Sequence, residues 1–330
     1  MKNRIFLYLK GLAMGSADVV PGVSGGTIAF ITGIYEELLF SIKSVDLEAA
    51  KLLFSFKLKD FWQKINGSFL VTLLLGIATA IISLSRLVLY LLENQPILLW
   101  SFFFGLIVAS VIIVGKQIRK WSVVAVVFLA VGTAIAWYIS SMSQVALDEP
   151  GALYVFMCGA VAICAMILPG ISGSFILILL GAYQLVFGAL QNIVDGLAGG
   201  GLAAIGGDLR IIGAFGVGCI AGLLSFARLL SWMFLKYHDA VVALLIGFLV
   251  GSLNKVWPWK HTVETYTDRH GVVKPLLQKN VSPFSFTEFT GEESLLIMAI
   301  VLAIVGFASV YSLEWFSTKT DLKEEEVYEA

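Results

Sequence analysis

Pro21-Gly22-Val23-Ser24-Gly25-Gly26-Thr27-Ile28 recurs in the same chain as Pro169-Gly170-Ile171-Ser172-Gly173-Ser174-Phe175-Ile176, 148 positions later. Gly33 and Tyr35 follow the first copy, and Gly181 and Tyr183 follow the second at the same offset. Further on, Gly76, Ser83, Arg86, Leu87, Gly105 and Ser110 return as Gly218, Ser225, Arg228, Leu229, Gly247 and Ser252, now 142 positions away. Glycine coincidences are cheap in a chain with 32 glycines. Two arginines in the same Ser-x-x-Arg context, each downstream of a matching Pro-Gly turn, are not, so the chain reads as an internal duplication.

The setting of the duplication is a membrane. Of 330 residues, 58% are hydrophobic and 14% charged, against about 45–50% and about 25% in soluble domains. The 22 basic and 23 acidic residues nearly cancel, so charge gives no pull towards nucleic acid. A crossing helix needs about 20 apolar residues. Six segments meet that length: 69–92, 97–115, 121–141, 211–235, 240–259 and 295–313. Two more, 5–42 and 151–190, are apolar but broken at Pro-Gly, and each reads as two short helices meeting at a glycine turn. The run Ile5–Leu9 is too short for a signal peptide, so the N-terminus is expected in the mature chain. Cys158, Cys164 and Cys219 sit in apolar runs without metal-ligand spacing, and His238, His261 and His270 fall in loops. No metal site and no cofactor are expected.

Each half then holds one broken hairpin and three spans. Three crossings is an odd number, and counting the hairpin as two more leaves it odd, so the second half lies upside down. The expected fold is an all-α polytopic membrane protein of two inverted repeats, residues 1–141 and 142–330, each a broken re-entrant helical hairpin plus three transmembrane helices. The acidic tail 317–330 is expected to be a solvated end. Lysines and arginines in loops 43–68 and 116–120, with none in 93–96 and 142–150, place the N- and C-termini in the cytoplasm. Loop 254–293 is external by that count despite its basic residues.

The candidate site follows from the turns. Irregular backbone at membrane depth persists where it is enclosed by protein or lines water. Ser24 or Thr27 can cap the helix after the first turn, and Ser172 or Ser174 the helix after the second. The freed N–H groups and the positive helix end favour an anion. Pro21, Gly22, Ser24, Gly25, Gly26 and Thr27 in the first turn, and Pro169, Gly170, Ser172, Gly173 and Ser174 in the second, are therefore candidate binding residues; a kink packed by serine and glycine is the plainer alternative. Arg86 and Arg228 sit inside spans, where a charge is costly, each one turn from a serine, and a guanidinium suits phosphate or carboxylate. Snorkelling to headgroups would also explain them. The acids are not duplicated: Asp18 corresponds to Met166 and Glu36 to Gln184. Asp18, Glu36 and Glu37 are candidate coupling residues that can take and release a proton, or simple helix-end acids.

The stretch Lys10-Gly-Leu-Ala-Met-Gly-Ser-Ala-Asp-Val-Val-Pro-Gly-Val-Ser-Gly-Gly-Thr, with the later Ile167-Leu-Pro-Gly-Ile-Ser-Gly-Ser, resembles the PopT family of bacterial polyprenyl-phosphate transporters over nearly the whole chain. The resemblance implies a multi-pass protein of the bacterial cytoplasmic membrane. It implies return of undecaprenyl phosphate, the lipid carrier of cell-wall precursors, from the outer to the inner leaflet, coupled to a proton or sodium gradient. The residues themselves ask for an anion, a midplane site and alternating access; a transporter or channel for a small soluble anion fits them equally well. An intramembrane enzyme is disfavoured, since there is no HExxH and neither Ser24 nor Ser172 has an obvious buried base.

Overall fold

The computed structural model describes residues 2–18, 24–142, 151–196, 206–267 and 273–328; the side chain of Arg86 and those of some other helix and strand residues lie outside that description. The chain is mostly helical. The first broken region forms α1 (Lys2–Asp18), α2 (Gly25–Ile31) and α3 (Tyr35–Lys43). The second forms α9 (Ala152–Ile167), α10 (Gly173–Leu179) and α11 (Tyr183–Asp195). Three helices appear in each where two were expected. The extra break falls at Gly33 (φ 72°) and Gly181 (φ 65°), a left-handed conformation that side chains resist. The loop 43–68 carries α4 (Leu47–Phe54) and α5 (Leu58–Lys64), with Asp46 capping α4 by accepting from the Ala49 N–H at 2.9 Å.

The long apolar runs become α6 (Gly67–Asn94), α7 (Pro96–Gly115), α8 (Val123–Ser141), α12 (Gly206–Ser252) and α14 (Leu296–Tyr328). Among the described residues four helices, the first three and α12, are long and apolar enough to cross a membrane. At 1.5 Å per residue α12 is about 70 Å long, more than twice a hydrocarbon core of about 30 Å. It is kinked at Tyr237 (φ −136°, ψ 44°), which divides it into two arms matching the runs 211–235 and 240–259. The second arm ends at Ser252, seven residues early, because the chain turns ahead of Trp257-Pro258-Trp259. α14 continues as helix to Tyr328, beyond the run 295–313 read from hydropathy. The chain is also not purely α. Within 254–293, β1 (Lys260–Thr267) pairs antiparallel with β2 (Val273–Asn280), with a bulge beside Glu264, and a short α13 (Phe286–Thr290) follows. Threonine, valine and tyrosine in β1 favour the pleated form.

α7 is the most enclosed of the long helices, while α8 exposes Val123, Val126 and Trp137 at the periphery. Such an apolar surface is unfavourable in water and natural against lipid. Where lipid surrounds the bundle, close backbone contact holds helices together, and here glycine provides it. A Cβ on Gly11 would strike the Leu73 carbonyl of α6, and one on Gly76 the Tyr8 carbonyl of α1. The same two contacts recur as Gly159 on Phe215 and Gly218 on Phe156, between α9 and the first arm of α12. Likewise Gly105 of α7 meets Ala303 of α14 and Gly306 meets Phe102, while Gly247 of α12 meets Leu129 of α8 and Gly132 meets Leu244. α7 and the second arm of α12 run in opposite directions. Asp239 at the start of that arm accepts from the Arg119 and Lys120 N–H groups just beyond α7 (3.2 and 3.1 Å), and Lys260 just beyond the arm lies over Trp100 near the start of α7.

Candidate functional site

The two broken hairpins meet inside the protein. The Ser24 hydroxyl donates to the Met166 carbonyl at the end of α9 (2.9 Å) and accepts from the Gly26 N–H (3.1 Å). Thr27 Oγ1 accepts from the Gly170 N–H (2.9 Å). A Cβ on Gly26 would lie 2.5 Å from the Ile167 carbonyl oxygen, so the start of α2 rests directly on the backbone of the second turn. Ser24, Gly25, Gly26, Thr27 and Ser172 are buried. Pro169 is buried as well, and Gly173 packs its α-carbon on the Ala162 carbonyl. Pro21 and Gly22 lie outside the described residues.

The first hairpin is neutralised from within. Asp18 at the end of α1 accepts from the Gly25 N–H (2.6 Å), and Lys10 of α1 donates to the Thr32 carbonyl (2.8 Å). The seven-residue α2 thus has a carboxylate at its positive end and an ammonium at its negative end, as the helix dipole favours. Eight residues of α1 span about 12 Å, which matches the length of α2. The second hairpin has Cys158 and Met166 at the corresponding positions. There the Tyr154 hydroxyl donates to the Leu180 carbonyl (2.8 Å), replacing Lys10, but among the described residues no acid replaces Asp18. Ser172 makes no cap bond to α10 and instead shares a 2.9 Å hydrogen bond with Ser174. The site is therefore symmetric in backbone and asymmetric in charge.

The other candidates lie apart. Glu36 faces His238 Nε2 at 3.5 Å, beside the α12 kink, and Glu37 accepts from Asn66 Nδ2 at 2.9 Å. His238 lies in α12, where the sequence reading put a loop. Arg228 is exposed on the first arm of α12 with no ion pair among the described residues; it shares that face with Leu229 and Trp232. Arg86 lies in α6, with its side chain outside the described set. Ser83 and Ser225 donate to carbonyls one turn back in their own helices (2.6 Å each).

Three further polar features emerge from the packing. A cavity of about 450 Å³ beside the first hairpin is lined by Arg4, Lys10, Thr32, Glu37 and Ser68. Tyr35 is buried, its hydroxyl without a hydrogen-bond partner among the described residues and its ring edge-on to Phe30 and Phe234. Lys260 Nζ donates to the Lys255 carbonyl (2.6 Å) and sits 3.9 Å from the Trp100 ring centre, while Lys255 Nζ lies 4.2 Å from the ring centre of Phe175 in α10. Burial lowers the pKa of both amines, and the Lys255 charge lowers that of Lys260 further. The signal in sequence was Lys255-Val-Trp-Pro-Trp-Lys260, two cations bracketing interfacial aromatics.

Fold and site define a polytopic helical membrane protein whose interior is built around two touching broken hairpins. The chain belongs to the undecaprenyl phosphate translocase-like family, whose match covers residues 14–274. It is 44% identical over 317 residues to a polyprenyl-phosphate transporter of Vibrio cholerae serotype O1, covering 96% of this chain and 98% of that one. It is 35% identical over 263 residues to a polyprenyl-phosphate transporter of Staphylococcus aureus, covering 76% and 85%. No solved structure matches the chain.

Proposed function

We propose that this protein, built of two inverted repeats, carries undecaprenyl phosphate across the bacterial cytoplasmic membrane, from outer to inner leaflet, by alternating access. The carrying observation is the contact of the two turns through Ser24–Met166 and Thr27–Gly170. Two half-crossing hairpins that touch at their tips form the kind of midplane junction that transporters use. Helix lengths support the re-entrant reading. The stretch Ile5–Ala17 of α1, interrupted by Lys10, is about 20 Å long and α9 about 24 Å, both short of a full crossing. Repetition with inversion, in repeats 1–141 and 142–330, is supported by the matching glycine contacts and by the opposed directions of α7 and the second arm of α12. With loop 43–68 in the cytoplasm, both termini are cytoplasmic.

The phosphate is held at the junction by the turn residues Pro21, Gly22, Ser24–Thr27, Pro169, Gly170 and Ser172–Ser174, and Arg86 and Arg228 serve the head on its way to opposite faces. In the state described, Asp18 occupies the positive end of α2 that a phosphate would take. Protonation of Asp18 frees that end, which gives a route for coupling transport to a proton gradient, with Glu36 and Glu37 nearer the kink and the α6 start. The protein performs no covalent chemistry on its cargo in this scheme. The test is reconstitution in liposomes with labelled undecaprenyl phosphate. Leaflet exchange that needs the protein and responds to an imposed ion gradient is expected. Exchange no faster than in protein-free liposomes overturns the proposal, as does equal movement of a small soluble phosphate.

A further inference from the structure

We infer that Lys255 and Lys260 form a docking site for a phosphate monoester headgroup at the flank of the second hairpin. The inference rests on the transport reading above and adds residues that lie outside the duplicated motif. The Lys260 ammonium donates to the Lys255 backbone carbonyl, and each ammonium lies against an aromatic ring, Lys260 over Trp100 and Lys255 over Phe175. Cation–π contact partly compensates a desolvated cation but supplies no counter-charge. Among the described residues, no carboxylate pairs with either amine. Like charges held together away from water are unfavourable unless an anion joins them. A phosphate bridging both amines removes that penalty and gains charge-assisted hydrogen bonds. Burial holds both amines below the ordinary lysine range.

The location selects the ligand class. A Cβ on Gly170 would lie 3.1 Å from Ser252 Oγ, and Lys255 follows Ser252 by one turn, its N–H donating to the Ser252 carbonyl (2.8 Å). The pair thus stands beside the turn that lacks an acid. Trp100 lies under Lys260, Trp257 and Trp259 stand between the two lysines in sequence with their rings in contact, and tryptophan concentrates at the depth of lipid headgroups. An anionic head there leaves its tail in lipid. A polyprenyl phosphate and free inorganic phosphate share this chemistry, and the two are separable by experiment.

The test uses the full chain in detergent micelles with two probes, farnesyl phosphate and inorganic phosphate. Farnesyl phosphate is expected to protect Lys255 and Lys260 of the unaltered protein from acetylation, read by mass spectrometry. Lys255→Met and Lys260→Met are each expected to weaken farnesyl phosphate binding about tenfold or more, while Lys260→Arg retains it. Lys260→Met is also expected to raise thermal stability without ligand, because it removes an uncompensated charge. Protection absent where binding occurs, or full affinity in folded Met variants, overturns the lysine site and leaves the transport reading standing. Binding of neither probe to the unaltered protein overturns both. Equal affinity for both probes keeps the site and assigns it to free phosphate, against a lipid cargo.

Discussion

Replacing Thr27 with valine removes one hydroxyl and almost nothing else. Both side chains are β-branched, so the helical preference of α2 is nearly unchanged. Thr27 is fully buried, and its Oγ1 is the acceptor for the Gly170 N–H. Valine leaves that N–H enclosed without a partner, a cost of about 1–3 kcal/mol. Ser24→Ala orphans the Met166 carbonyl and the Gly26 N–H at the same junction, and the loss of an N-cap adds about 1 kcal/mol. Because both bonds tie the same pair of turns, the double variant should depart from additivity by about 0.5–3 kcal/mol. If the tie belongs to one of the two access states, weakening it shifts the balance between them by about 5–150-fold. Unfolding in mixed micelles measures the first quantity and leaflet exchange in liposomes the second. Thr27→Val with unchanged unfolding and unchanged exchange would refute the junction as the structural tie between the hairpins.

Gly105→Ala should strongly destabilise the protein, since its Cβ would fall on the Ala303 carbonyl, whereas Gly115→Ala meets nothing within 4 Å and should be near neutral in thermal melts. Asp18→Asn removes the carboxylate from the start of α2; transport should lose its pH dependence, and an unaltered pH profile would leave Asp18 a structural cap. Arg228→Ala should insert normally yet abolish leaflet exchange, while normal exchange would remove the exposed Arg228 from the path. Binding of farnesyl phosphate at Lys255 and Lys260 should rise through pH about 6 as the phosphate takes its second charge. It should then fall as the amines lose protons, at lower pH than ordinary lysines because burial depresses both; titrating affinity against pH would show the bell or its absence.

The spans were legible because lipid imposes a length, and α6, α7 and α8 fall within two residues of the runs read from hydropathy. The hairpins were legible because Pro-Gly at membrane depth requires a break. Their third helix was not: Gly33 and Gly181 stand out in the sequence as a repeated pair, but only the backbone shows both at positive φ, where the helix breaks. Lys236-Tyr237-His238-Asp239 read as a loop by polarity, yet a kink at one residue turns the chain and keeps the helix. Asp18 was visible as an unmatched acid; its partnership with Lys10 across α2 depends on how α1 and α2 lie together, which spacing alone does not give. The arginines show the same limit more sharply. Their place in the repeat is a fact of sequence, but which face of the helix meets a cavity is a fact of packing, and Arg228 lies on an exposed one.

Glycine seams also say which parts can move. α7 is sealed to α14 at Gly105 and Gly306, and the second arm of α12 to α8 at Gly247 and Gly132, so the second span of each sequence half binds the third span of the other. Rocking one half as a block against the other would open both seams at backbone level. Backbones in such close contact slide only by separating first, which forfeits the dispersion contacts that hold helices together in lipid. The joints between hairpin tips are of another kind: a few hydrogen bonds, Ser24 to Met166 and Thr27 to Gly170, each worth about 1 kcal/mol net. Alternating access in this fold is therefore cheapest when the hairpin units, α1 with α6 and α9 with the first arm of α12, shift against a fixed frame of exchanged spans, breaking and remaking the bonds between their tips.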